Sequence, residues 1–310
     1  MRLQTVCLAI FDAILVHMLS VLSPEGKWLD LKREILEALT KQKESKQAAL
    51  LKGVYNDCDV IFLQEVRTKA VATDLPATLG GAFIVAGPPT PSKADQNSCV
   101  LLSSSTFDAA SVTDLTKEAM ALLPEGGAKV ADGDLIVCSA TLRETGKEFL
   151  LASFHGDTDG LATTRAFSGV HALAATRPQA SLLFGLDANT YLKAKPGKQA
   201  AASDFIADFK AKGYASTFGE APPAECLTTS NARTFLQPQL QKACKAADKA
   251  SKGDFNPKDY ILFPAAGFTL VDAGKDNTGK GKYVEDMVVP TLEWPSDHGA
   301  VFGTVLPTVV

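Results

Sequence analysis

The sequence predicts an α/β layered domain built on two central sheets, and three observations support this prediction. Short apolar runs typical of buried strands recur along the 310 residues and alternate with segments of helical periodicity. No Pro/Gly/Ser-rich linker divides the chain, so one domain is expected over residues 1–310. The composition, 46% hydrophobic and 21% charged, is that of a globular chain that buries a large core.

The individual elements follow from the spacing of apolar residues. Helical spacing predicts an amphipathic helix between Trp28 and Leu39, and two further helices are expected over residues 163–175 and 201–212. The stretch 242–282 is rich in lysine and reads as a basic loop around one short strand. Short apolar runs, most of which end in polar side chains, are predicted to be strands. They comprise residues 59–66, 99–102, 135–142, 149–154, 181–186, 260–263 and 299–305.

The first 20 residues are apolar but interrupted by Asp12 and His17. A membrane-spanning helix needs about 20 apolar residues, and a carboxylate at its centre costs about 2.5–3.5 kcal/mol. We therefore expect no membrane span. A first core strand over residues 5–15 is favoured over a secretory signal peptide, although the signal peptide stays open as an alternative.

The charge and cysteine content exclude several classes of protein. With 31 Lys and Arg against 35 Asp and Glu the net charge is -4, which argues against coating of nucleic acid through bulk positive charge. A polyanionic partner would have to be held locally. The six cysteines include no C-x-x-C pair, so neither a zinc site nor a disulfide scaffold is indicated. An intracellular monomer is the expectation, and the compartment itself is not fixed by the sequence.

Polar side chains that can carry chemistry stand where apolar runs meet loops. Carboxylates that converge at strand ends repel one another unless a cation neutralises them. Hard oxygen ligands without thiolates suit Mg²⁺ or Mn²⁺ rather than zinc. The candidates come from five separate segments: Glu65, His155, Asp187 with Asn189, Asp259, and Asp297 with His298.

At these residues the sequence resembles the endonuclease/exonuclease/phosphatase superfamily, which has the deoxyribonuclease I-like fold. The resemblance implies a four-layered αββα sandwich with two central mixed sheets, and a pocket that hydrolyses phosphate esters with a divalent metal, usually Mg²⁺. The matching pieces occur in the family's order: Leu63-Gln64-Glu65-Val66, Phe154-His155, Gly185-Leu186-Asp187-Ala188-Asn189, Asp259-Tyr260-Ile261-Leu262 and Ser296-Asp297-His298-Gly299.

The resemblance also implies a role for each polar residue. Glu65 and Asp297 would help to bind the metal. Asp187 would activate or orient the attacking water with help from Asn189. Asp259 would orient His298, whose protonated ring could donate to a phosphate oxygen.

Two further predictions concern His155 and Asp12. His155 would supply a second donor, to the transferring phosphoryl group or to the leaving oxygen. Asp12 stands where the family usually has an asparagine that helps to hold the metal. Either Asp12 is a further metal ligand, or that ligand is missing and activity is impaired.

Structural explanations compete with these roles. Asp187 and Asn189 could cap a turn after a strand, and His298 could be a satisfied structural histidine. The acidic run 156–160 could be a second cation site, but a plain turn is favoured. Taken together, the five segments favour the functional interpretation.

Substrate recognition is predicted from two arginines. Arg165 and Arg233 are candidate phosphate contacts because the guanidinium fork matches phosphate oxygens, and surface salt bridges are an equal alternative. The favoured substrate is a phosphate ester of nucleic acid or nucleotide. The alternatives are inositol-phosphate or lipid head-group substrates, and a catalytically impaired relic of the fold.

Overall fold

The computed structural model describes residues 42–88, 96–230, 254–285, 287 and 289–308, with isolated positions before residue 42. Asp12 and Arg233 lie outside the described residues, so their predicted roles remain predictions. Among the described residues, no helix combines the length and apolar character that a membrane crossing requires.

The described strands form three sheets. A six-stranded sheet has the order β4-β5-β6-β7-β9-β8, a three-stranded sheet has the order β1-β3-β2, and β10 pairs with β11, for strands numbered along the chain as follows. They are β1 (Val60–Val66), β2 (Phe83–Ala86), β3 (Asn97–Ser103), β4 (Thr113–Asp114), β5 (Leu135–Thr141), β6 (Glu148–His155), β7 (Ser181–Asp187), β8 (Tyr214–Ser216), β9 (Asp259–Pro264), β10 (Phe268–Asp276) and β11 (Ala300–Pro307).

The described α-helices lie on the outer faces of the sheets. They are α1 (Lys43–Gly53), α2 (Leu75–Leu79), α3 (Thr116–Ala121), α4 (Thr163–Ala175) and α5 (Ala202–Ala211). Buried side chains of α3, α4 and α5 pack on one face of the six-stranded sheet. Those of α1 and α2 pack on the outer face of the three-stranded sheet.

A third apolar cluster joins the two layers of strands. Val100 and Leu102 of β3 point toward the six-stranded sheet, whereas Cys99 and Leu101 point toward α1 and α2. This alternation follows from the two-residue period of a strand, and it explains why the apolar run of β3 is unbroken. The result is the predicted four-layered αββα arrangement.

Most predicted elements are confirmed. The helix predicted over residues 163–175 coincides with α4. The helix predicted over residues 201–212 corresponds to α5, which is one residue shorter than predicted at each end. Asp30, Arg33 and Glu34 are helical, as the spacing between Trp28 and Leu39 predicts.

Two predictions about local structure are wrong. Ile10, Ala13 and Ile14 fall in the expected first strand, yet they are helical, and Ile10 and Ile14 are more than half exposed. Short apolar runs do not distinguish strand from helix by periodicity alone. The expected loop 242–282 contains β10, which forms because it pairs with β11 along its length.

Gly185 of β7 lies against Phe62 of β1, in the other layer of strands. A Cβ atom placed on it would lie 2.2 Å from Cγ of Phe62 in β1, well inside van der Waals contact. The absence of a side chain at residue 185 therefore lets the Phe62 ring fill the space between the sheets.

We expect Gly185→Ala to lower the free energy of unfolding by about 1–3 kcal/mol, because the added methyl group overpacks this contact. Chemical denaturation measures the change. Gly53→Ala is the matched control, because no atom lies within 4 Å of its added Cβ. An unchanged midpoint for Gly185→Ala would contradict the packing described above.

Candidate active site

The pairing of three neighbouring strands places three predicted site residues side by side. His155 at the end of β6 pairs with Asp187 at the end of β7, and Asp187 pairs with Asp259 at the start of β9. Nε2 of His155 lies 3.6 Å from Oδ2 of Asp187. The three side chains thus form a row along one edge of the six-stranded sheet.

His298 joins this row from the loop before β11. Its Nδ1 lies 2.9 Å from Oδ2 of Asp259 and 3.9 Å from Oδ2 of Asp187. The indole N–H of Trp294 donates to the His298 carbonyl at 2.7 Å, and the His298 N–H donates to the Ser296 hydroxyl at 3.1 Å. The histidine backbone is therefore held on both sides.

The charges of the row shift its pKa values. Burial disfavours a charged imidazole, but the carboxylates of Asp259 and Asp187 outweigh it and raise the pKa of His298 to about 10. Burial raises the pKa of Asp187 to about 6, with the charge of Asp259 adding to the effect of burial and that of His298 opposing it. At neutral pH His298 is an imidazolium and Asp187 is mostly a carboxylate.

Asn189 lies close to Asp187 for a local reason. Its backbone N–H donates to Oδ1 of Asp187 at 2.8 Å, which is the turn cap considered as an alternative explanation. Its φ of 47° is rare for a residue other than glycine, and backbone strain of this kind concentrates at functional sites. The cap and a place in the site therefore coexist.

Glu65 reaches the site from the other layer of strands. The pairing of β1 with β3 is interrupted between Leu63 and Val66, and Glu65 has a φ of 55°. Such a bulge re-aims a side chain. Oε1 of Glu65 lies 3.8 Å from Nε2 of His155, so His155 stands between Glu65 and Asp187.

The layer contact beside Glu65 is polar. The side-chain amide of Gln64 donates to the Ser153 hydroxyl of β6 at 2.9 Å, and that hydroxyl donates to the Leu63 carbonyl at 3.1 Å. These bonds hold the end of β1 against β6.

A candidate cation site is present among the described residues, where ligand atoms of Asp187, Asp259 and His298 lie within 4.8 Å of one another. The charge on His298 repels a cation from the space next to its Nδ1. The donor chemistry nevertheless fits a hard divalent cation, because the surrounding donors are carboxylates and no thiolate is among them.

Asp297 is not part of that cluster. It is half-buried, and its negative charge contributes to the raised pKa of its neighbour His298. The structure therefore brings Glu65, His155, Asp187, Asp259 and His298 together, and Asp297 acts on them through its charge.

Arg165 has a structural role that the sequence did not reveal. Its Nε–H donates to the Pro124 carbonyl at 2.8 Å, and its Nη1–H donates to the Ala128 carbonyl at 3.0 Å. Arg165 thus holds the loop after α3 onto α4. These carbonyls take up two of the five N–H donors of the guanidinium, and the phosphate contact of Arg165 stays a prediction.

The acidic run 156–160 forms the turn that its sequence favours. Both carboxylate oxygens of Asp157 accept backbone N–H bonds, from Leu161 at 3.0 Å and from Ala162 at 2.8 Å, just before α4. Gly160 has a φ of 71°, and a Cβ there would lie 2.6 Å from the Asn189 carbonyl oxygen. Glycine is needed where this loop passes Asn189.

Two buried residues next to Asp259 escaped prediction. The Thr228 hydroxyl donates to Oδ2 of Asp259 at 2.5 Å, and its backbone carbonyl accepts from the Gly299 N–H at 2.7 Å. Nζ of Lys258 lies 2.8 Å from Oδ2 of Asp254, and its charge lowers the pKa of Asp187 against the effect of burial. No sequence pattern distinguishes a lone threonine of this kind.

Several solved structures have the same fold. The catalytic domain of human Nocturnin, with a bound sulfate anion, is 15% identical, covers 86% of this chain and 87% of its own, and has a TM-score of 0.50. D. rerio TDP2, complexed with a single-strand DNA product, is 13% identical, with coverages of 87% and 96% and a TM-score of 0.52. A functionally unknown conserved protein from Enterococcus faecalis V583 is 14% identical, with coverages of 85% and 91% and a TM-score of 0.53.

Two families match the sequence, and no curated protein does. Residues 1–33 match a domain of unknown function (DUF8234). Residues 22–298, which include Glu65, His155, Asp187, Asp259 and His298, match the Endonuclease/Exonuclease/phosphatase family. Family members are phosphoesterases, and the match covers most of the 310 residues. The chain therefore belongs to the Endonuclease/Exonuclease/phosphatase family.

Proposed function

We propose that this chain is a divalent-metal-dependent phosphodiesterase that acts on nucleic acid or nucleotide. The observation that carries the proposal is the row of His155, Asp187 and Asp259, with His298 hydrogen-bonded to Asp259 and Glu65 facing His155 from the other layer. The D. rerio TDP2 complex shows that this fold can hold a polynucleotide product.

Glu65 is the residue best suited to hold the metal, because it is acidic and partly exposed, with 46% of its side chain accessible. Asp297 and Asp12 remain proposed as additional ligands. A bound Mg²⁺ or Mn²⁺ would neutralise negative charge on the phosphate ester.

The remaining steps belong to the protein. Asp187 in its carboxylate form orients the attacking water and accepts its proton, and Asn189 holds the same water through its amide. His298 is protonated, and the bond of its Nδ1–H to Asp259 leaves the Nε2–H to donate to a phosphate oxygen as charge builds. His155 donates to the phosphoryl group or to the leaving oxygen.

We expect Asp187→Asn to reduce kcat at least about 100-fold, because the amide cannot accept the proton from water. Turnover is measured with Mg²⁺, Mn²⁺ and Ca²⁺ on single-stranded DNA, RNA, inositol phosphates and bis-para-nitrophenyl phosphate. Asp272→Asn, on the exposed part of β10, is the control and retains parental rates. Equal rates for Asp187→Asn and the parent would refute the proposed site, and preference for inositol phosphates would refute the substrate class.

The pH profile of kcat/KM is expected to rise through about pH 6 as Asp187 loses its proton, and to fall through about pH 10 as His298 loses its own. Asp259→Asn removes the main charge that stabilises the imidazolium, so we expect the alkaline limb to move to lower pH. Rates between pH 5 and 11 measure both limbs. An alkaline limb that stays in place in Asp259→Asn contradicts the assignment to His298.

Thr228 is expected to act by positioning Asp259. Thr228→Val removes a hydrogen bond to a charged group, worth about 1.5–3 kcal/mol, so kcat is expected to fall about 10-fold or more. Thr228→Ser keeps the hydroxyl and is expected to restore kcat, with KM similar in both variants. Equal loss of kcat in the serine and valine variants, with both folded by circular dichroism, would show that the hydroxyl is not needed.

A further inference from the structure

A loop that directly follows Asn189 carries a concentration of positive charge. This segment, residues 190–201, is called the lysine loop, and it contains Lys193, Lys195 and Lys198. All three side chains are exposed. The loop contains no acidic residue, so its local charge is opposite to the net charge of -4 on the whole chain.

The lysine loop has a defined conformation. The Tyr191 N–H donates to the Ala200 carbonyl at 2.9 Å, and the Ala202 N–H donates to the Tyr191 carbonyl at 3.0 Å, which closes the loop at its base. Near its tip the Lys195 N–H donates to Oε1 of Gln199 at 3.1 Å. The charges are therefore carried on a folded platform, which reduces the entropy lost on binding.

The same loop borders the row of site residues. The Tyr191 hydroxyl donates to the Thr158 carbonyl at 2.8 Å, and the side-chain amide of Gln199 donates to Asp159 at 3.2 Å. Thr158 and Asp159 belong to the loop that follows His155. On the other side, the Leu192 N–H donates to Asn256, three residues before Asp259, at 2.9 Å.

The lysines of the loop are not neutralised within the described part of the chain. No carboxylate oxygen there lies within 4.0 Å of Nζ of Lys193, Lys195 or Lys198, whereas Lys258, beneath the loop, is paired with Asp254. Three unpaired ammonium groups beside a phosphate-hydrolysing site attract a ligand that carries several negative charges.

We propose that the lysine loop binds backbone phosphates of a single nucleic acid strand on one side of the phosphodiester that is cleaved. This inference rests on the proposed function, and it adds a binding surface outside the catalytic row. Lysine acts as a point charge without base contacts, so the loop contributes affinity that is independent of sequence and sensitive to salt. A small phosphodiester has no flanking phosphate and gains nothing from the loop.

The test compares a long and a small substrate in the variant Lys193→Gln/Lys195→Gln/Lys198→Gln. For a 12-nucleotide single-stranded DNA or RNA we expect KM to rise about 10-fold at low salt. The slope of log(kcat/KM) against log[salt] becomes shallower by about 2, since each contact on a single strand contributes about 0.7. Rates on bis-para-nitrophenyl phosphate are expected to stay at the parental level.

The control removes the same charge elsewhere. Lys52, Lys117 and Lys147 lie on α1, on α3 and in the turn before β6, at positions outside the site loops, and their triple glutamine variant is expected to match the parent on both substrates. Oligonucleotide kinetics unchanged in the lysine-loop variant, or equally reduced in the control, would overturn the proposal. A parallel loss on the small diester would also overturn it, because the site itself would then be damaged.

Binding without turnover separates the two proposals. Fluorescence anisotropy with a labelled 12-nucleotide strand is expected to show about 10-fold weaker binding to the lysine-loop variant than to the parent. If the parent hydrolyses neither substrate, the proposed function fails. The difference in affinity would then still support binding of the strand by the lysine loop. Equal affinities decide against it.

Discussion

The hydrogen-bonded register of β6, β7 and β9 is the constraint on which the site depends. It sets His155 beside Asp187 and Asp187 beside Asp259, although the three residues are far apart in the chain. A slip of one residue in either pairing would turn a whole set of side chains to the opposite face of the sheet. The apolar clusters on both faces prevent such a slip, because it would expose the core. The arrangement of the site residues is thus a product of the same packing that stabilises the fold.

The charges within the row depend on one another. Two carboxylates on adjacent strands are tolerated in a buried position because imidazoles lie between and beside them. The raised pKa of His298 is in turn a consequence of those carboxylates outweighing burial. Removing one partner of a buried pair leaves the other uncompensated, which is costly. The site is therefore one electrostatic unit, and Thr228 and Lys258 belong to it although neither has to contact the substrate.

Prediction from sequence succeeds where a residue's type and its position in the hydrophobic pattern indicate the same role. Polar residues at the ends of apolar runs pointed to Glu65, His155 and Asp187, and a polar residue directly before such a run pointed to Asp259. Helical periodicity predicted both ends of α4 to the residue. Prediction failed where a three-dimensional partner decides the outcome. β10 has few buried positions, and it forms because it pairs with β11. Two donors of Arg165 bind carbonyls of a loop 37 to 41 residues away in the chain. Thr228 contributes to the site only through its hydrogen bond to Asp259. The strand expected in the N-terminal apolar run is not found at Ile10, Ala13 and Ile14, because apolar residues alone do not determine the backbone conformation.

The acidic groups of the site are divided between two layers of strands, with Glu65 on β1 and Asp187 and Asp259 on β7 and β9. The distance between these layers is set by the apolar side chains packed between them, among them the Phe62 ring against Gly185. The thickness of the core therefore fixes how far the Glu65 carboxylate stands from the carboxylates of Asp187 and Asp259. A substitution in the buried interior of this chain can therefore change the spacing between the charges of the site while every site residue stays in place.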